Sequence, residues 1–165
     1  MTPQREIYQI HYKRIYNTCL RIIGNRMDAE EAMHDVFLKL FDKMDELKDE
    51  KSFYSWSRTI AIRTAIDRVR KKKPVFEKMN FSIVQDILDD EVEIDDEPME
   101  LSVEVIKNQL NCLPDGYRIV LSMRLFEACT FEEIAEALQI KEPTVRSQYV
   151  RGRQKLCKML KNNYK

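Results

Sequence analysis

The sequence predicts an all-α fold: two small helical domains joined by a flexible acidic linker. Three observations carry this. Only three glycines and five prolines occur in 165 residues, and no Val/Ile/Thr clusters stand at strand spacing. Apolar side chains instead recur three and four positions apart along most of the chain. A strip at 74–100 with one base and ten acids interrupts that pattern, repels itself, and lacks the apolar area to offset chain entropy. The expected division is therefore 1–73, 74–100 and 101–165.

The first helix is expected over about Glu6 to Ile23, with Ile7, Ile10, Tyr12, Ile15, Cys19, Ile22 and Ile23 apolar and Gly24–Asn25 as its stop. Asp28 and Glu31 have the spacing of a capping box and open the second helix. Its core stripe runs from Ala29 through Val36, Phe37 and Leu40 to Leu47. Its other face carries Glu31, His34, Asp35, Leu38 and Asp42, an acidic surface with one exposed leucine. The third helix, about Ser52 to Lys73, has two faces of different character. Ile62, Ala65, Ile66 and Val69 read as core, while Phe53, Trp56 and Ile60 lead into Arg63 and Asp67 on another side. Aromatics followed by polar and basic groups suit stacking on unpaired bases and hydrogen bonding to them. Trp56 also fits a core position, as a single Trp usually does. Arg68, Arg70 and Lys71–Lys73 close the helix as a phosphate-attracting cluster before Pro74 breaks it.

Beyond the strip, a helix is expected from about Leu101 to Cys112. A turn at Leu113–Asp115 then leads into a helix over about Tyr117 to Phe126. Thr130 with Glu133 caps a short helix, Glu132 to Leu138, and Gln139-Ile140-Lys141 turns the chain into the last helix, with Pro143 in its first turn. Short helix, tight turn and longer helix are the layout of a helix-turn-helix, whose second helix enters the DNA major groove. On that last helix Val145, Tyr149, Gly152, Leu156 and Leu160 share the core face. Arg146, Ser147, Gln148, Arg151, Gln154, Lys155, Lys158 and Lys161 occupy the remaining arc, and residues 146–165 hold seven bases and no acid. A solvated basic helix would show the same charge; the caps, the turn and the single sign together favour DNA reading.

The formal net charge is zero but segregated, with 16 bases against 11 acids in 1–73 and 11 against seven in 101–165. Two basic units flanking an acidic strip suit a protein that touches a polyanion at two places. No apolar run reaches membrane-spanning length and no signal-peptide pattern opens the chain, so a cytoplasmic protein without membrane insertion is expected. Cys19, Cys112, Cys129 and Cys157 are scattered, which disfavours zinc or disulfides and predicts reduced, mostly packed thiols. His11 and His34 lie on different helices, and no catalytic, metal-ligand or phosphate-loop spacing occurs; neither an enzyme nor a cofactor is expected. A stand-alone helix-turn-helix regulator remains a rival, though it leaves the leucine-bearing acidic face without a purpose.

Three motifs, the last of them in three pieces, now resemble one family, the sigma-70 factors of bacterial RNA polymerase, in their extracytoplasmic-function (ECF) subgroup. Residues 28–41 (DAEEAMHDVFLKLF) resemble its core-polymerase-binding segment, and 52–73 the segment that opens and reads the minus-ten element. Residues 113–125, 131–138 and 144–147 are similar to the domain that reads the minus-thirty-five element. The resemblance implies a sigma region 2 bundle over 1–73, a sigma region 4 helix-turn-helix over 101–165, and core polymerase and promoter DNA as partners. It places Glu31, His34, Asp35, Leu38 and Asp42 against the clamp helices of the largest polymerase subunit, with His34 where a Gln is common. Phe53, Tyr54, Trp56, Arg63, Asp67, Arg70 and Lys71 fall on minus-ten DNA, and Arg146, Ser147, Gln148, Val150, Arg151 and Lys158 on minus-thirty-five DNA. An anti-sigma factor is implied as a regulator by the subgroup alone.

Overall fold

The computed structural model describes residues 2–72 and 102–163, all of it helices, turns and connections. The linker expected at 74–100 lies outside the described residues. The chain divides between residues 73 and 74 into two compact units.

The first unit is a three-helix bundle. Helix α1 spans Pro3–Ile23, three residues earlier than the apolar pattern marks, because Thr2 caps it by accepting from the Arg5 N–H and Pro3 needs no partner for its first-turn nitrogen. Gly24, in the left-handed region at φ 78°, ends it as anticipated. Helix α2 spans Arg26–Asp42. Its cap is Asn25, whose side chain accepts from the Asp28 N–H, so the start lies a turn before the Asp28 capping box read from sequence. Short 3-10 turns at Met44–Glu46 and Glu50–Ser52 lead into α3, Phe53–Lys72.

Each pair of these helices packs together. Ile15, Cys19 and Ile22 on α1, Val36 and Leu40 on α2, and Ala65 and Ile66 on α3 are all essentially fully buried and belong to its core. Burial of each such aliphatic side chain contributes about 1.5–3 kcal/mol, most of it offset by chain ordering. Two residues of the α1 stripe fall outside this core: Ile10 is 72% exposed and Tyr12 stacks on Tyr8 at the surface. His11 does pack inward, its ring 4.7 Å from that of Phe53.

The second unit contains α4 (Val103–Asn111), α5 (Asp115–Leu125), α6 (Phe131–Leu138) and α7 (Glu142–Asn163). Ser102 caps α4 and Thr130 caps α6, each through its side-chain oxygen. Helix α6 stops where Gln139 enters the left-handed region at φ 56°, giving the tight turn into α7. Helix α7 packs against all three of its predecessors. Close approach to α5 depends on Gly152: a Cβ there would lie 3.0 Å from Tyr117 Cβ and 3.2 Å from Leu121 Cδ1. Leu110, Leu113, Leu121, Leu156 and Leu160 complete the core. The expectation of mostly packed thiols holds only for Cys19 and Cys129; Cys112 and Cys157 are exposed.

Two outcomes follow from this packing. Gly152→Ala gains helix propensity of about 1 kcal/mol, but overpacking against Tyr117 costs about 1–3 kcal/mol, so denaturant titration should show the second unit destabilised. Gly152→Leu should prevent it folding. For His11, burial first and the Arg14 charge second hold the imidazole below its ordinary value of 6.5. Stability is therefore full above that ordinary value and is lost as pH falls through the lower folded one, since the unfolded chain takes up the proton first. Thermal melts from about pH 7.5 to 5.5 should show a smaller acid-side loss in His11→Phe than in the parent.

Candidate nucleic-acid interface

The outer face of α2 presents Glu31, His34, Leu38 and Asp42 to solvent, with Asp35 half-buried. Leu38 is 67% exposed because the α2 stripe of Ala29, Val36 and Leu40 claims the inward side. Two of the carboxylates are already engaged. Arg68 of α3 donates from Nη1 to Glu31 Oε2 (2.6 Å) and from Nη2 to Asp35 Oδ2 (2.8 Å). Burial works against the Arg68 charge, but the bonds to Glu31 and Asp35 outweigh it and raise its proton affinity above normal. This corrects the assignment of Arg68 to the phosphate-attracting cluster: its guanidinium faces α2.

Helix α3 sorts its expected nucleic-acid residues into inside and outside. Phe53 is 8% exposed, packed between His11 and Trp56, and so has no face to offer a base; its placement among the DNA contacts is corrected. Position 53 falls on the first turn of α3, where α1 covers it, and aromatic character alone could not show that. Tyr54 is 55% exposed with the Arg14 guanidinium 4.4 Å from its ring centre, and Arg14 also donates to Ser57. Arg14 on α1 had no signal in a helix-by-helix reading. Trp56 is half-buried and, with Ile60, Arg63, Ser52, Ser55, Thr59, Lys43 and Glu46, lines an open groove of about 440 Å³. The series 56, 60, 63 thus comes together on one wall. Asp67 and Lys71 are exposed further along and Arg70 is half-buried. An aromatic ring, hydroxyls and a guanidinium around one groove can stack on a base and hydrogen-bond its edge.

Helix α7 shows Arg146, Val150, Arg153 and Cys157 at intervals of four, three and four, all exposed. Lys158 is exposed, Arg151 half-buried, and Ser147 donates its hydroxyl to the Pro143 carbonyl (3.0 Å). Gln148 is the correction here. It is 2% exposed, turned into the bundle on the Val145 side, so it cannot reach a base edge from the described fold. Arg153 was missed in the sequence reading although it stands seven residues after Arg146, two helical turns along the same face.

Comparison with known proteins agrees with this division. The model of sigma-70 region 2 matches residues 7–75 and that of sigma-70 region 4 matches 104–156. The ECF RNA polymerase sigma factor SigW of Bacillus subtilis is 30% identical over 165 residues, covering 95% of this chain and 88% of its own. The RNA polymerase sigma-H factor of Pseudomonas aeruginosa is 24% identical, covering 89% and 80%. Among solved structures, the sigma factor RpoE of Bartonella quintana, crystallised with the anti-sigma factor NepR, shares the fold with a TM-score of 0.59. Its identity is 18%, over 95% of this chain and 96% of that one.

The Arg68 bridge has a measurable weight. Its acidic partners are half or more exposed, so solvent screens it, and Arg68→Met should cost the first unit about 1 kcal/mol or less in urea unfolding. The deficit should shrink when the comparison is repeated in high salt.

Proposed function

The chain belongs to the sigma-70 family, in its ECF group, and from that premise we propose how its surfaces divide the work of promoter recognition and opening. It is a promoter-specific initiation factor that binds core RNA polymerase and DNA. The first unit is the polymerase-docking and minus-ten unit, and the second reads minus-thirty-five DNA.

The observation that carries this reading is Leu38, an exposed apolar side chain ringed by Glu31, His34, Asp35 and Asp42. An apolar knob inside a charged rim is the anatomy of a protein docking site, and the sign of the rim selects a basic partner surface, here the clamp helices of the largest polymerase subunit. A stand-alone operator-binding regulator has no use for it. On the DNA side, Arg146, Val150 and Arg151 approach bases and phosphates in the upstream groove, with Lys158 on the backbone and Ser147 completing the first turn. Tyr54, Trp56, Arg63, Asp67, Arg70 and Lys71 receive the opened strand. Stacking in the Trp56 groove is available only to unpaired bases, so binding energy there favours the open state over the duplex. Work of this kind places the protein in the cytoplasm and needs no catalytic residue and no cofactor; among the described residues no helix is long and apolar enough to cross a membrane. A protein anti-sigma partner, by analogy with the RpoE–NepR pair, would compete for these same faces.

Leu38→Arg should leave the melting temperature unchanged and weaken core-polymerase binding by at least about tenfold in a pull-down titration. Parent protein that binds duplex DNA tightly but retains no core polymerase would overturn the reading in favour of the regulator. Promoter affinity of the holoenzyme should fall about a hundredfold between 50 and 200 mM salt if roughly four phosphates are neutralised.

A further inference from the structure

Arg146 is more tightly held than a surface arginine needs to be. Its Nε and Nη2 both donate to Oε1 of Glu142, at 3.0 and 2.7 Å, one helical turn earlier. Its guanidinium carbon lies 4.9 Å from the ring centre of Phe131. That ring is itself fixed: Tyr149 meets it edge-on at 5.3 Å, and Arg124, anchored on the Cys129 carbonyl, stands 4.6 Å from the same centre. Two bonds and a ring contact define the guanidinium plane, yet the side chain remains 60% exposed.

The consequence lies in which donors are left. A guanidinium has five N–H groups, and Glu142 takes one from Nε and one from Nη2. The outer pair, one N–H on Nη1 and the second on Nη2, run parallel and are unused by any acceptor among the described residues. Two parallel donors match guanine, which offers the acceptors O6 and N7 in the major groove; adenine offers one acceptor and one donor, and the pair mismatches. A carboxylate in the first turn of α7 is also favoured by the helix dipole, which helps hold the Glu142 side chain in place.

We propose that Glu142, backed by Phe131, is a specificity-determining positioning residue that presents Arg146 to a guanine in the upstream promoter element. This rests on α7 being the reader of duplex DNA. The carboxylate adds no contact of its own to bases; its work is to remove the alternative orientations in which Arg146 would reach a phosphate or another base. Its charge also repels the DNA backbone, so it trades affinity for discrimination.

The test is holoenzyme, reconstituted from core polymerase and the full chain, transcribing a library with the upstream element randomised and the transcribed templates counted. Parent protein should select guanine at the position whose preference Arg146→Ala flattens. Glu142→Gln, of the same size, should reduce guanine discrimination at that one position about tenfold, through increased use of non-guanine templates, and leave the other positions as they were. A fold defect would lower all templates together. Phe131→Leu, which keeps an apolar side chain in place, should act in the same direction. Guanine selection that survives in both Glu142→Gln and Phe131→Leu but is lost in Arg146→Ala overturns the positioning role alone. Another base at that position overturns the guanine match. Upstream selection indifferent to Arg146→Ala overturns the assignment of α7 as the base reader, and this inference with it.

Discussion

The burial of one aliphatic stripe on α3 governs the first unit. Ile62, Ala65, Ile66 and Val69 must face α1 and α2, and a helix has only so much circumference. With that side fixed, Trp56, Ile60 and Arg63 are left to wall a groove and Asp67 to face solvent. Arg68, next to the stripe, is carried to α2 and meets Glu31 and Asp35. The same packing explains Leu38. Once Val36, Phe37 and Leu40 have taken the inner side of α2, a leucine between them in sequence has no core to enter. The leucine-bearing acidic surface of α2 and the Trp56 groove of α3 are thus two by-products of one packing solution.

In the second unit the equivalent constraint is the close approach at Gly152. Because α5 comes near enough that a methyl group would touch Tyr117 Cβ, the roll of α7 about its axis is set within narrow limits. That roll brings Arg146, Val150 and Arg153 outward together and turns Gln148 inward. It has a cost: Gln148 Oε1 and Ser122 Oγ are buried with no hydrogen-bond partner among the described residues. Such groups are expensive in an apolar interior, which argues that the packing at Gly152, Leu156 and Leu160 dominates the orientation of this helix.

How much of this could be read beforehand depended on whether a residue's type agreed with its place. Gly24 and Thr130 stop and start helices by backbone and capping chemistry, and both lie where that chemistry says. The α3 stripe and the Val145–Leu160 face were legible because aliphatic residues at helical spacing have one reasonable destination. The failures are residues whose type disagrees with their burial. The ring of Phe53 suggests base stacking but is core; the amide of Gln148 suggests DNA contact but is buried; Arg68 stands in a run of cations but pairs with acids. Each sits at the border of an apolar arc, where a rotation of about one residue decides the environment, and periodicity cannot resolve that. Partners separated by a turn of another helix, such as Arg14 on Tyr54, need the tertiary fold to be seen at all.

The separation of sign over short distances completes the physical picture. The first unit carries an acidic face on α2 and exposed bases on α3 within a single three-helix bundle. A helix with its side chains is about 10–12 Å across, and the screening length at physiological salt is about 8 Å. Charges on opposite sides of α3 therefore feel each other weakly through solvent, and each surface keeps its own sign. Arg68 stands at the border between them, and its pairing with Glu31 and Asp35 neutralises what would otherwise be a free cation beside the acids of α2. With that border closed, the acidic face of α2 keeps one net sign while Arg63 and Lys71 keep the opposite one.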